Sequence, residues 1–400
     1  MIPFVMPKQS LGLQYPQVFA EFFAGIGLMR MGLEQTGWEV AYANDIDSDK
    51  KEMYEAHFGN TENTFHLGDI RHINSQSIPY VTLATASFPC NDLSLAGSRT
   101  GLAGKQSSAY WGFIKIIESL GRRRPLLILL ENVIGFLNSN GGKDFEEALL
   151  ALNRLGYLTD AFVINAARFV PQSRVRLFVI GYMPGFCEEE TTKETPSFYE
   201  CETRPKALAE FIFTHPEINW RMRDFPPLPM RATTLRDILE DLPQNDCNWW
   251  SCERTNYLIE QMSAKHRDQL FEMSRRRKYS YGTVFRRVRK GKSMAELRSD
   301  GIAGCLRTPR GGSGRQILVK AGYGNVQARL LTPRECARLM GADDFRISVS
   351  MNQALFGFGD AVCVPVIAWI AQNYINPLLK ELQSKHEITA YETRGKYAIA

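Results

Sequence analysis

The sequence predicts an α/β fold in which a doubly wound parallel sheet carries a smaller inserted domain. Three observations lead there: short apolar strand patterns alternate with helical ones over the first 180 residues, a Gly-x-Gly turn joins the first such pair, and the composition changes abruptly beyond residue 181. A strand needs a crossover helix before the next can lie beside it in the same direction, so strand–helix alternation reads as a parallel sheet.

The elements follow in order. Residues 18–23 read as a strand and 28–35 as a helix; 40–43 and 50–57 repeat the pair; 81–87 is a strand; 126–130 and 145–155 form another pair; and 177–181 closes the series. Residues 188–202 are then rich in glutamate, and 205–250 carry many prolines with little periodicity. Between Arg267 and Arg298 eleven Lys or Arg stand against Asp268, Glu272 and Glu296, a local excess of +8 that exceeds the +5 of the whole chain. Basic charge is thus concentrated where nucleic acid would be met. Residues 330–340 and 362–374 read as helices, and from about residue 385 the chain is polar.

Four hundred residues with 44% hydrophobic and 23% charged content exclude a disordered or fibrous chain and exceed one small core. The apolar run 125–130 falls far short of the ~20 residues of a bilayer span, and the N-terminus MIPFVMPKQS lacks a signal pattern. A soluble, cytoplasmic protein with no membrane partner is expected. Eight cysteines scattered without CxxC spacing point to reduced thiols and to no structural metal.

The segment VFAEFFAGIGLMRMGLE reads strand, tight turn at Gly25 and Gly27, then helix, and Asp45 follows Gly25 by twenty residues. Glycines let a backbone approach a ligand, and a carboxylate accepts from ribose hydroxyls. Dinucleotide sites usually need a third glycine for the pyrophosphate, whereas Arg30 stands here, so the turn suits a nucleoside cofactor without one. S-adenosylmethionine is such a cofactor. Asp69, in LGDI, is placed either to accept from an adenine amino group or to cap a turn.

Cys90 lies at a strand end beside a Gly/Ser-rich stretch, where an accessible nucleophile would sit, although free cysteines are more often inert core residues. Glu131-Asn132-Val133 follows an apolar strand, suiting either a general acid or a helix cap. Arg174 and Arg176 alternate into a strand, which sends both guanidiniums to one face.

In this order the segments resemble the DNA (cytosine-5)-methyltransferase family: FxGxG at 23–27, the acid at Asp45, GDI at 68–70, FPC at 88–90, ENV at 131–133, QxRxR at 172–176, RLLTPRECARLMG at 329–341 and GFGDAVCVPV at 357–366. The resemblance implies a Rossmann-like, S-adenosylmethionine-dependent methyltransferase domain split in sequence, 1–184 and 327–400, around a target-recognition domain at 185–326. It implies that Cys90 adds to cytosine C6, that Glu131 holds N3 and the exocyclic amine, and that Arg174 or Arg176 stabilises O2. The cofactor would meet Phe23, Gly25, Gly27, Asp45, Ile46, Asp69, Ile70, Pro89, Asp360 and Val362, leaving S-adenosylhomocysteine as product. Duplex DNA would meet Asn91 and Ser94 beside a flipped base, Arg276 and Arg277 at phosphates, and Arg310 and Arg315 at base edges. The chain departs from the family at Asn91, where Gln is usual, at Asp360 for Asn, and at Glu21 for Asp. A monomer is expected, with a restriction or defence component as a compatible partner.

Two other readings remain. A transfer-RNA cytosine methyltransferase shares the catalytic motifs, but the interval of about 150 residues between QxRxR and RLLTPRE is ample for a groove-reading domain and favours DNA. A methyltransferase-like protein without activity is disfavoured by the presence of Cys90, Glu131, Arg174 and Arg176.

Overall fold

The computed structural model describes residues 15–59, 61–89, 108–184, 195–289, 291–308 and 314–384. Seven strands build its platform: β1 (Val18–Phe22), β2 (Glu39–Asp45), β3 (Phe65–Leu67), β4 (Leu83–Ala86), β5 (Leu127–Val133), β6 (Leu158–Asn165) and β7 (Val175–Tyr182). Their order is β3-β2-β1-β4-β5-β7-β6. The first five run parallel, and β7 is antiparallel to both its neighbours. The reversal has a simple cause. Only residues 166–174 separate β6 from β7, fewer than the dozen or so that a parallel crossover needs.

The chain winds outward from β1 to β3 and then returns to β4, so the strand order reverses between β1 and β4. Ligands of open α/β sheets bind outside the carboxyl ends of strands at such a switch point. This brings the glycine turn, after β1, beside the Phe88-Pro89 segment, after β4.

Helices α1 (Leu28–Glu34), α2 (Ser48–Phe58), α3 (Ser108–Ser119) and α4 (Lys143–Arg154) connect the strands. Neighbouring residues of β4 supply opposite faces: Leu83 enters a core with Leu28 and Leu33 of α1, and Ala84 one with Phe113 of α3 and Phe145 and Leu149 of α4. Helix α5 (Lys206–Thr214) buries Leu208, Phe211 and Ile212 in the second core, and Leu228, Leu235 and Ile238 enter the first. Charge and proline content had assigned this stretch to the inserted domain, yet it packs on the large sheet. Asp160 of β6 fixes it there, accepting from Arg204 Nη2 at 2.9 and 3.0 Å, the Arg223 amide at 2.9 Å and Tyr374 Oη at 2.8 Å. A buried carboxylate is tolerable only when its lone pairs are engaged in this way.

A separate core forms farther along. Helices α6 (Cys252–Glu260) and α7 (Ala264–Ser274) cover a four-stranded antiparallel sheet of β8 (Ser280–Arg289), β9 (Lys292–Arg298), β10 (Ile317–Gly322) and β11 (Asn325–Leu330), ordered β11-β10-β8-β9. Leu258, Leu270, Val284, Ile317 and Ala328 meet inside it.

The chain then returns to the large sheet through α8 (Pro333–Leu339), α9 (Met351–Asp360) and α10 (Val364–Ile370). The helix expected at 330–340 begins only at Pro333, because Thr332 caps it in a reciprocal box with Glu335 and residues up to Leu330 belong to β11. Helical chain from Met351 to Ser384 matches a bilayer span by length and composition. Its Phe358, Val364, Ile367 and Ile370 are nevertheless buried in the first core.

Candidate active site

Strand β1 ends in a turn built from left-handed residues. Phe23, Gly25 and Gly27 have φ of 57°, 57° and 84°. Such angles cost glycine little, but a phenylalanine held there is strained, as residues at functional turns often are. The two glycines serve different ends. A Cβ on Gly27 would stand 2.4 Å from the Phe58 ring and 2.7 Å from the Tyr54 ring, so helix α2 demands glycine there. A Cβ on Gly25 would meet only Lys50 Cδ, at 4.0 Å, leaving a cradle open above the turn.

Asp45 ends β2 beside that cradle. Its Oδ2 accepts from the Gly25 amide at 2.8 Å and its Oδ1 from the Asp47 amide at 2.9 Å. Each carboxylate oxygen keeps a lone pair for a further donor such as a ribose hydroxyl. Ile46, next along the chain, is 67% exposed, an apolar face suited to a flat ring. Asp69 caps the 3₁₀ turn Ile70–His72, accepting from the Arg71 amide, and both its oxygens pair with the Arg71 side chain. The Arg71 hydrogen bond holds this carboxyl at about 2, below its ordinary value, against a smaller opposing effect of burial. Asp69 thus caps this turn at the end of β3. Ile70 and Val362, the latter just beyond α9, are both buried.

On the other side of the switch point, Phe88 is wedged between the Tyr110 and Phe136 rings. Its carbonyl accepts from Asn132 Nδ2 at 3.2 Å, which ties the segment entering Pro89 to β5. Cys90, Asn91 and Ser94 lie outside the described residues, as does Arg310. Glu131 of β5 is buried and receives Arg176 Nε of β7 at 3.0 Å. The antiparallel pairing of these strands, with Glu131 opposite Phe178 and Val133 opposite Arg176, brings carboxylate and guanidinium together near the carboxyl end of β5.

The two arginines separate in role. Arg174 precedes β7 and turns inward, where Nη1 donates to the Leu306 carbonyl at 2.9 Å, Nη2 to that of Ala361 at 2.5 Å, and both to that of Gly359 at 3.3 Å. It clamps the end of α9 to the segment entering from the small sheet. Gln172 adds to the clamp: its Oε1 accepts from the Leu306 amide at 3.0 Å and its Nε2 donates to the Leu339 carbonyl at 2.7 Å. The expectation that both guanidiniums lie on one face therefore fails: Arg176 reaches Glu131, whereas Arg174 reaches backbone carbonyls of Leu306 and Ala361. Alternation fixes the direction of Cβ but not where a long side chain ends.

Cys305, which the sequence did not single out, lies 3.4 Å from Arg174 Nη1. Burial alone would raise this thiol, yet Arg174, Arg176 and Arg307 more than offset it and hold it below its ordinary value. The sequence around Cys305 shows only Arg307, two residues on, because Arg174 and Arg176 arrive from a segment about 130 positions away. Lys50 was missed for the same reason: its Nζ pairs with Asp360 Oδ2 at 2.8 Å, across 310 positions of chain.

Of the residues expected at DNA, Arg276 and Arg277 are exposed just after α7. Arg315 Nη2 donates to Asn352 Oδ1 of α9 at 2.6 Å. Within the basic cluster, Arg287 pairs with Glu296, and Arg298 with Asp300 at 2.8 Å, so part of its charge is neutralised internally. The six described cysteines are free, and no group of three His, Cys, Asp or Glu able to hold a metal occurs among the described residues.

A family model described as C-5 cytosine-specific DNA methylase matches residues 18–376. The chain is 30% identical over 361 residues to the Type II methyltransferase M.DsaV of Dactylococcopsis salina, covering 90% of this chain and 86% of that one. It is 28% identical over 374 residues to the Type II methyltransferase M.HhaI of Haemophilus parahaemolyticus, covering 92% and 96%. Among solved structures, the S. pombe Dnmt2 methyltransferase superposes with a TM-score of 0.59 at 18% identity, covering 90% of this chain and 98% of that one, a likeness of fold.

Proposed function

This chain belongs to the C-5 cytosine-specific DNA methylase family and is a DNA cytosine-5 methyltransferase, and on that footing we propose which of its residues carry the reaction. Cytosine C5 is a poor nucleophile, so the ring must first be activated. The Cys90 thiolate adds to C6, and the enamine so formed makes C5 nucleophilic. Glu131 donates a proton to N3 and accepts from the exocyclic amine, which keeps negative charge off the ring. Arg176, bonded to Glu131, orients that carboxyl and stabilises charge at O2; Arg174 acts through the backbone clamp. Once C5 carries the methyl group, loss of the C5 proton to a base, departure of the Cys90 thiolate and return of the N3 proton to Glu131 release 5-methylcytosine. The observation that carries this reading is the Glu131–Arg176 pair, next to Asn132, whose side chain holds the Phe88 carbonyl two residues before Cys90.

S-adenosylmethionine supplies the electrophilic methyl group. The open cradle over Gly25 and the spare lone pairs of Asp45 fit it. Phe23, Gly25 and Gly27 would lie beneath it, Asp45 at the ribose, Ile46 and Ile70 about the adenine with Asp69 at its edge, and Pro89, Val362 and Asp360 toward the reacting end.

The substrate is cytoplasmic duplex DNA with its target cytosine flipped out, since C6 is unreachable in a stacked helix. Recognition falls to residues 252–330, a narrower span than 185–326, because 195–240 pack on the large sheet. A second domain of this size favours DNA over transfer RNA. Arg276 and Arg277 serve phosphates, Arg310 and Arg315 serve sequence choice, and Asn91 and Ser94 flank the flipped base. The Type II relatives suit a partner restriction enzyme.

The test is trapping on duplex DNA carrying 5-fluorocytosine, with S-adenosylmethionine present. Fluorine cannot leave as a proton does, so a covalent adduct at Cys90 should accumulate and be absent from Cys90→Ala. An adduct at another residue, or normal turnover by Cys90→Ala, would remove Cys90 from this role. Conversion sequencing of DNA from expressing cells reads the recognised site.

A further inference from the structure

Lys50 and Asp360 carry charges that their own helices disfavour. Lys50 lies in the first turn of α2, capped by Asp47, at the positive end of that helix dipole. Asp360 is the last residue of α9, at a negative end. An exposed ion pair contributes little by itself, and Asp360 is 44% exposed, so helix stability does not account for the pair.

Its position does. In the order β3-β2-β1 the ends of the strands bear Asp69, Asp45 and Gly25 in turn. A nucleoside cofactor laid across them puts its base toward Asp69, its ribose at Asp45 and its remaining substituent over Gly25. The Lys50 side chain is what lies over Gly25, and its Nζ reaches Asp360. Burial works against the charged Lys50 ammonium, but Asp360, Asp45 and Asp47 more than restore it, so Lys50 is held in its charged form. Asp360 is also held in place, because Arg174 binds the carbonyls on either side of it, at Gly359 and Ala361.

We propose that Lys50 and Asp360 form a two-charge seat for the amino-acid end of the cofactor. The Lys50 ammonium takes its α-carboxylate and the Asp360 carboxylate takes its α-ammonium. A zwitterion inserted between them replaces one ion pair by two, with no net change of charge in the cleft. Lys50 is then a binding residue, and the aspartate at 360 is matched to it. This rests on S-adenosylmethionine as the cofactor.

Calorimetry on the full chain separates the possibilities, using S-adenosylhomocysteine and 5′-methylthioadenosine, which lacks the amino-acid end. Lys50→Gln and Asp360→Asn should each weaken S-adenosylhomocysteine about tenfold or more while leaving 5′-methylthioadenosine within about twofold. The double variant, which leaves no charge unpaired, should show the same selective loss. Equal changes for the two ligands, or none for either, would overturn the seat while leaving the cofactor reading intact. Failure of wild type to bind S-adenosylhomocysteine would overturn that reading and the seat with it.

Discussion

Gly25 and Gly27 sit two residues apart in one turn, both left-handed, and alanine at each should fail differently. At Gly25 the new methyl group meets nothing closer than Lys50 Cδ at 4.0 Å. The cost to the ligand-free fold is then only that of a left-handed non-glycine residue, about 1–2 kcal/mol. At Gly27 the same backbone cost is joined by a Cβ 2.4 Å from the Phe58 ring and 2.7 Å from that of Tyr54. Tyr54 is fully buried and packs against Phe58 and Phe65, so it has little room to give. Overpacking of this kind adds about 1–3 kcal/mol, for a total loss of about 2–5 kcal/mol. Cofactor binding should reverse the ranking, because the Gly25 methyl group would occupy the cradle itself. Gly25→Ala should weaken S-adenosylhomocysteine at least about tenfold beyond any effect of lost stability. Urea unfolding without ligand, followed by calorimetry at a temperature where both variants are folded, measures the two quantities separately. If Gly25→Ala loses as much stability as Gly27→Ala, or binds S-adenosylhomocysteine as wild type does, the division between a packing glycine and a ligand glycine is wrong.

Two further predictions concern buried charge. Glu335 and Arg329 form a fully buried bidentate pair at 2.7 and 2.5 Å, so Glu335→Gln strands a guanidinium and should cost about 3–5 kcal/mol in urea unfolding; a loss under about 1 kcal/mol would show that the charge finds another partner. Burial, partly offset by Arg30, raises the Glu21 carboxyl from 4.5 to about 8. The folded chain therefore keeps a proton that the unfolded chain releases, and stability falls as pH rises from 4.5 to about 8. Glu21→Gln should flatten that slope, gaining stability over wild type at about pH 8 relative to about pH 6, and an unchanged difference between the two would mean Glu21 is already ionised in the fold.

The strand and helix series, the glycine turn and Asp45 were legible in the sequence because each rests on short-range chemistry: periodicity, a left-handed turn that favours glycine, and an acid one strand further on. The eight motifs carried the family, which the matched residues 18–376 bear out. What the sequence could not decide were the ends of long side chains and the neighbours of distant segments. Arg174 and Arg176 are the same residue type two positions apart, yet one clamps backbone carbonyls and the other meets Glu131, a difference set by where α9 and the 305–306 segment arrive. Composition assigned 195–240 to the inserted domain, whereas Asp160, Arg204 and Tyr374, far apart in the chain, bind that stretch to the large sheet. Lys50 looked like one more helix-surface lysine until α9 brought Asp360 to it. Local conformation is written in neighbouring residues, but a buried or cleft-facing charge takes whichever partner the packed chain delivers, so only the tertiary structure names the pair.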